Sequence, residues 1–272
     1  MAAESYVDTN PHVPSITGCR MEILQSAARA YVCKIMLILA ISLFCQPAIA
    51  SSPDFQARLD RAGIDYQVPQ SGKAILVNIA AFELIAFQDG TPVLRSRVIV
   101  GTPWHRTPRL QTHVSTVRFR PTWRPTPSMI ASGEYRDRIV PAGANNPLGL
   151  AAVRLGPGLL VYLHDTNRRE LFAQEYRALS HGCVRVDRWD ELVAFVLDME
   201  IDRVHELANG SRTFDVPAPP IPVRLGYFTR FPDAKGQIVT HPDIYRLGRL
   251  SSSNVKFDYG ADLACAQGAE VN

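Results

Sequence analysis

The side chains best suited by type to make and break bonds lie in the stretch Ser180-His181-Gly182-Cys183-Val184-Arg185. A cysteine attacks as its thiolate, so it needs a partner that takes the proton near neutral pH. Imidazole suits that task, because its ordinary pKa lies close to neutrality. Two histidines are available: His181, two residues before Cys183, and His164, 19 residues before it. Gly182 has no Cβ and lets a substrate carbonyl approach the main chain. The N–H groups of Gly182 and Cys183 are therefore candidates for an oxyanion hole, which typically lowers a barrier by about 3 kcal/mol. Together these groups point to acyl transfer through a covalent intermediate on sulfur.

Residue types alone leave two structural alternatives. Cys183 and Cys265 could join in a disulfide in an oxidising compartment. Against this, residues 260–272 are polar, with no apolar pattern to dock Cys265. His164, His181 and Cys183 could instead hold zinc, but a fourth ligand at a usual spacing is missing, and His205 and His241 have no evident place in such a set. No metal and no cofactor are expected.

Bulk properties narrow the classes further. The chain has 46% hydrophobic and 20% charged residues, an ordinary globular balance. A net charge of +3, dispersed along the chain, gives no reason to expect a nucleic-acid partner. Arg29 and Lys34 precede an apolar run over 35–44, and Ala48-Ile49-Ala50 has the small-x-small form of a signal-peptidase site. The run is short for a bilayer span, so residues 1–50 are expected to be an extension plus an export signal. Met21 and Met36 are alternative starts. Cleavage after Ala50 would remove Cys19, Cys33 and Cys45 and place the protein in the periplasm or cell envelope.

Patterning predicts the elements that position these groups. Residues 75–79, 82–87 and 93–100 read as strands, with Asp89-Gly90 a two-residue hairpin turn. Residues 114–119 read as a further strand, followed by a proline-rich link over 121–127. Ser128 is a candidate cap for a helix running towards Arg138, and Asn145-Asn146-Pro147-Leu148-Gly149 reads as a turn. Residues 159–164 read as a strand ending on His164, and 168–176 as a helical turn. Asp187 is a candidate cap for a helix over 188–199. Strands are expected again at 213–216, 222–229 and 238–240. The expected organisation is a lead-in over 51–72 with a short helix at 54–62, one catalytic domain over 73–245 and a polar tail over 246–272. The expected fold is mainly β, two packed sheets with a few short helices.

His164-Asp165-Thr166 and Arg177-Ala178-Leu179-Ser180-His181-Gly182-Cys183-Val184-Arg185-Val186 resemble the signature of the L,D-transpeptidase (YkuD-like) catalytic domain. Residues 75–101 resemble that family's opening hairpin. Tyr162-Leu163-His164-Asp165-Thr166, Pro222-Val223-Arg224-Leu225-Gly226-Tyr227-Phe228-Thr229 and Asp243-Ile244-Tyr245 resemble the branch found in long Gram-negative members. The resemblance implies a β-sandwich-like catalytic domain acting on peptidoglycan stem peptides. Cys183 would be the nucleophile, His164 the general base, and the backbone carbonyl of Asp165 the group that orients the imidazole. Gly182 would lend its N–H to the oxyanion, and His181, Ser180, Arg185 and Arg177 would contact substrate. For Arg185 a structural ion pair is an equal alternative, and Trp123 is read as a core residue. The resemblance also implies acylation by carbapenems.

Two departures from the long members stand out. Trp123 and His164 are only 41 residues apart, so any cap over the site is small or absent. No separate peptidoglycan-binding domain is expected either. Two acceptor choices follow, an amine (a second stem or an envelope protein) or water, and the protein is expected to act as a monomer. A third reading, a wall-binding module with a decayed site, is disfavoured by the complete His164, His181, Cys183 and Arg185 set.

Overall fold

The computed structural model describes residues 55–248 except residue 157. The expected export signal, the alternative starts, Cys265 and the end of the polar tail lie outside the described residues. Among the described residues no helix is long and apolar enough to cross a membrane.

Strands β1 (Lys73–Asn78), β2 (Glu83–Gln88) and β3 (Thr91–Gly101) form the predicted antiparallel meander. Asp89 and Gly90 join β2 to β3 with φ of 49° and 76°, the pair of positive angles that a tight hairpin turn demands. The chain then adds β4 (Leu110–Phe119), β5 (Ala151–Leu155), β6 (Tyr162–His164), β7 (Ala178–Ser180), β8 (Val184–Val186), β9 (Phe214–Pro217) and β10 (Pro222–Gly226). Their order is β10-β1-β2-β3-β8-β6-β5-β4, and β10 pairs again with β4.

The sheet therefore closes on itself as a barrel, where two packed sheets were expected. The cause is β10, which lies parallel to β1 on one side and antiparallel to β4 on the other. Closure supplies backbone partners to strands that would otherwise be edges. β7 pairs with β3, and β9 with β4. A second, small sheet holds only β11 (Arg230–Pro232) and β12 (Ile238–Thr240).

Alternation along β1 explains its unbroken apolar run. Ile75 and Val77 enter the main core with Leu84, Val98, Val117, Val153, Leu163, Val184 and Leu225. Ala74 and Leu76 face the other way, into a second core with Phe87, Phe228, Phe231 and helix α1 (Phe55–Ala62). Each fully buried leucine or isoleucine contributes about 2 kcal/mol by leaving water. Helices α3 (Trp189–Leu197) and α4 (Ile201–Ala208) pack Leu192, Val196 and Val204 into the main core.

Several element boundaries differ from the sequence reading. Helix α2 (Pro127–Ala131) is capped by Thr126, whose Oγ1 accepts from the Met129 N–H at 3.3 Å. Pro127 opens it, as its fixed φ favours, and the helix stops well short of Arg138. Asp187 does not cap α3, because Arg97 and Arg169 hold its carboxylate at 2.7 and 3.1 Å. The expected single helix over 188–199 is followed by α4, and β5 was not anticipated. Residues 168–176 contain a 3-10 turn, Arg169–Ala173.

Candidate active site

Parallel pairing of β6 with β8 sets Leu163 opposite Val184 and His164 opposite Arg185. Leu163 and Val184 point into the main core. Strand alternation then sends Tyr162, His164 and Arg185 to the other face, where Ala152, Tyr162 and Cys183 form a small apolar cluster. A cleft on this face is lined by His164, Cys183 and Arg185 together with Ser180, His181 and Tyr162. Residues 122–148 form its roof through Trp123, Met129, Tyr135 and Leu148.

His164 is 4% exposed. Its Nδ1 donates to the Asp165 carbonyl at 2.5 Å, which leaves Nε2 as the acceptor of the neutral ring. Burial holds its pKa down at about 3; the Arg185 guanidinium adds to the effect, and the Asp165 and Leu148 carbonyls oppose it. The imidazole is therefore neutral over the physiological range. The Asp165 carboxylate is itself fixed, accepting from Leu150 N–H and from Arg169, each at 2.9 Å. Gly149, at φ 65°, makes room for it: a Cβ there would stand 2.3 Å from Asp165 Oδ2.

Cys183 follows a sharp turn whose shape depends on Ser180. Ser180 Oγ donates to the Cys183 carbonyl at 2.6 Å and accepts from Gly182 N–H at 3.1 Å. Gly182 sits at φ 110°, a conformation open to glycine. Its N–H, expected to face an oxyanion, is directed to Ser180 Oγ in this geometry. Ser180 shapes the turn from a buried position. The Cys183 Sγ lies 3.7 Å from the Leu160 carbonyl and the residue is 7% exposed.

His181 lies at the cleft with Nε2 2.9 Å from Glu134 Oε2. Its ring is 4.7 Å from that of His105 and 6.0 Å from Tyr135. Trp123, read as core, meets Tyr135 edge to face at 5.4 Å and lines the cleft. Arg177 is elsewhere. Its guanidinium donates to the carbonyls of Gln174, Val98 and Phe82, at 2.7, 3.2 and 3.3 Å. It borders a different hollow, beside Phe82 and Arg97, and is not among the residues lining the cleft with Cys183.

Glu134, Tyr135, Tyr162 and the buried Asn146 were not anticipated as parts of the site. Asn146 Nδ2 donates to the carbonyls of Pro121, Pro141 and Val140, and its Oδ1 accepts from Leu148 N–H. Its only sequence signal was that of a turn residue. Trp123 and Val140 also pair as an isolated bridge. The roof is thus a small cap, one of the two outcomes that the short Trp123–His164 spacing allows.

The model of the YkuD L,D-transpeptidase catalytic domain matches residues 72–214. A putative L,D-transpeptidase of Haemophilus influenzae is 30% identical over 235 residues, covering 70% of this chain and 48% of that protein. The probable L,D-transpeptidase YbiS of Escherichia coli is 32% identical over 153 residues, covering 52% of this chain and 48% of its own length. The chain spans about half the length of the curated relatives it matches. Among solved structures, an L,D-transpeptidase from Mycobacterium smegmatis aligns with a TM-score of 0.37 at 19% identity, over 57% of this chain and 59% of that one. With its signature residues gathered on one cleft and the family model matching more than half its length, the chain belongs to the YkuD L,D-transpeptidase catalytic-domain family.

Proposed function

We propose that this protein is a peptidoglycan L,D-transpeptidase of the cell envelope that works through a thioacyl-enzyme on Cys183. One observation carries the proposal. The neighbouring parallel strands β6 and β8 bring His164 and the turn carrying Cys183 to one cleft, with the imidazole Nδ1 tied to the Asp165 carbonyl. His164 Nε2 takes the thiol proton as Sγ adds to the carbonyl at the L-centre of the third stem residue, diaminopimelate. The proton passes to the departing amine as the C–N bond breaks. D-alanine leaves and a thioester remains. An acceptor amine then attacks the thioester, its C–N bond replaces C–S, and the sulfur regains a proton. Arg185 supplies a positive charge for a substrate carboxylate, and His181, held by Glu134, contacts the stem at the cleft mouth.

A hydrolase would run the same first half-reaction and resolve the thioester with water. The apolar roof of Trp123, Met129, Tyr135 and Leu148 favours transfer, because excluding water protects a reactive acyl group. Incubation with a purified tetrapeptide stem separates the two. Cross-linked dimers mean transfer; tripeptides alone mean hydrolysis. A carbapenem is expected to add its mass to the protein, and Cys183→Ala should abolish the adduct. An unmodified wild-type protein, with no product from the stem, would sink the proposal.

A further inference from the structure

Behind the turn that carries Cys183 lies a buried hydrogen-bond network that runs to residues beyond the family match. Thr107 is 2% exposed and Tyr245 is 2% exposed. Thr107 Oγ1 donates to the Gly182 carbonyl at 2.8 Å and accepts from Gly101 N–H at 2.9 Å. The Tyr245 hydroxyl donates to the Gly101 carbonyl at 2.7 Å and accepts from Thr107 N–H at 3.1 Å. Tyr245 is held in turn: its N–H donates to the Tyr227 hydroxyl at 2.9 Å, and the two rings stack at 5.3 Å. Tyr227 donates to Asp243 at 2.6 Å. Gly101 leaves no slack, since a Cβ there would stand 1.9 Å from the His105 carbonyl oxygen.

The consequence falls on one peptide unit. The carbonyl of Gly182 belongs to the amide whose N–H is that of Cys183, so whatever fixes this carbonyl fixes the plane of the peptide leading into the nucleophile. Ser180 holds that turn from one side, through Gly182 N–H and the Cys183 carbonyl. Thr107 holds it from the other. Without the Thr107 bond, the glycine's wide conformational freedom would let the peptide swing.

We propose that Thr107, braced by Tyr245, is a positioning residue that sets the Gly182–Cys183 peptide and with it the aim of the Cys183 sulfur. The proposal rests on Cys183 being the nucleophile. It also gives the segment after residue 214 a part in the chemistry, through Tyr245.

The test is the rate of acylation by a carbapenem, measured by mass spectrometry over time at several concentrations, in full-length protein. Thr107→Val keeps the shape and removes the donor. It should lower the maximal acylation rate by about 10- to 100-fold while the half-saturating concentration stays within about two-fold. Thr107→Ser should restore most of the rate. Tyr245→Phe keeps the ring and should slow acylation by about three- to ten-fold; it decides the matter alone if Thr107→Val does not fold. Wild-type acylation rates in a folded Thr107→Val, or in Tyr245→Phe, would overturn the proposal. Absence of acylation in the wild type would instead refute the assignment of Cys183, a separate outcome.

Discussion

His164 combines near-complete burial with an Nδ1 hydrogen bond to the Asp165 carbonyl, and the burial has a measurable cost. Its folded pKa is lowered from 6.5 to about 3. Above pH 6.5 the ring is neutral both folded and unfolded, and contributes no pH dependence. Below that value the unfolded chain binds a proton that the folded one refuses, so stability falls as pH drops towards 3. By pH 4 the loss is on the order of 3 kcal/mol. Thermal unfolding of His164→Gln should accordingly weaken less between pH 6.5 and 4 than that of the wild type. Equal slopes would show that the imidazole is not held neutral. Gly149 is the second residue with a sharp expectation. Alanine there meets both a positive φ and the fixed Asp165 carboxylate, so Gly149→Ala should destabilise by about 2–4 kcal/mol. Because the same aspartate supplies the carbonyl that orients His164, carbapenem acylation should slow as well. The Cys183 and His164 pair was legible in the sequence through residue type and motif. The engagement of Gly182 N–H was not, since it depends on where Ser180 Oγ comes to rest.

Among the elements, the segment between β4 and β5 differs most from its sequence reading. Its proline-rich start and Asn-Asn-Pro-Leu-Gly end look like plain linker chemistry. The fold turns them into a roof, stapled by Asn146, which gives its side-chain donors to carbonyls at both ends of the segment. Asn146→Ala should cost about 2 kcal/mol by leaving those carbonyls unsatisfied. If the roof excludes water from the thioester, the same variant should raise the ratio of tripeptide to dimer in the stem assay. An unchanged ratio with a lowered melting temperature would confine Asn146 to stability. Strands and the Asp89-Gly90 hairpin were easier to read, because alternation and turn chemistry are local. Helix α2 was foreseen in place but not in length. Its cap moved from Ser128 to Thr126 because Pro127 fits the first helical position.

For the whole molecule, closure of the barrel is the decisive event. The family match ends at residue 214, yet β10 at Pro222–Gly226 joins β1 to β4. A chain ending at residue 217 would expose the edges of both strands and lose Val223 and Leu225 from the core. Such a truncation is expected to lack a cooperative thermal transition and to aggregate; a soluble, cooperatively folded fragment would contradict the role given to β10. The sequence by itself determined the family, through the local motif around Cys183 and the histidine at a strand end. It also determined that the fold is mainly β, because period-two alternation and hairpin turns are written in neighbouring residues. Only the tertiary structure decided that the sheet closes rather than stacks, that Arg177 lines a different hollow from Cys183, and that Thr107 and Tyr245 brace the Gly182 carbonyl. Those outcomes depend on pairings between residues more than 60 positions apart in the chain, and no local pattern encodes which distant partner a strand or a guanidinium will meet.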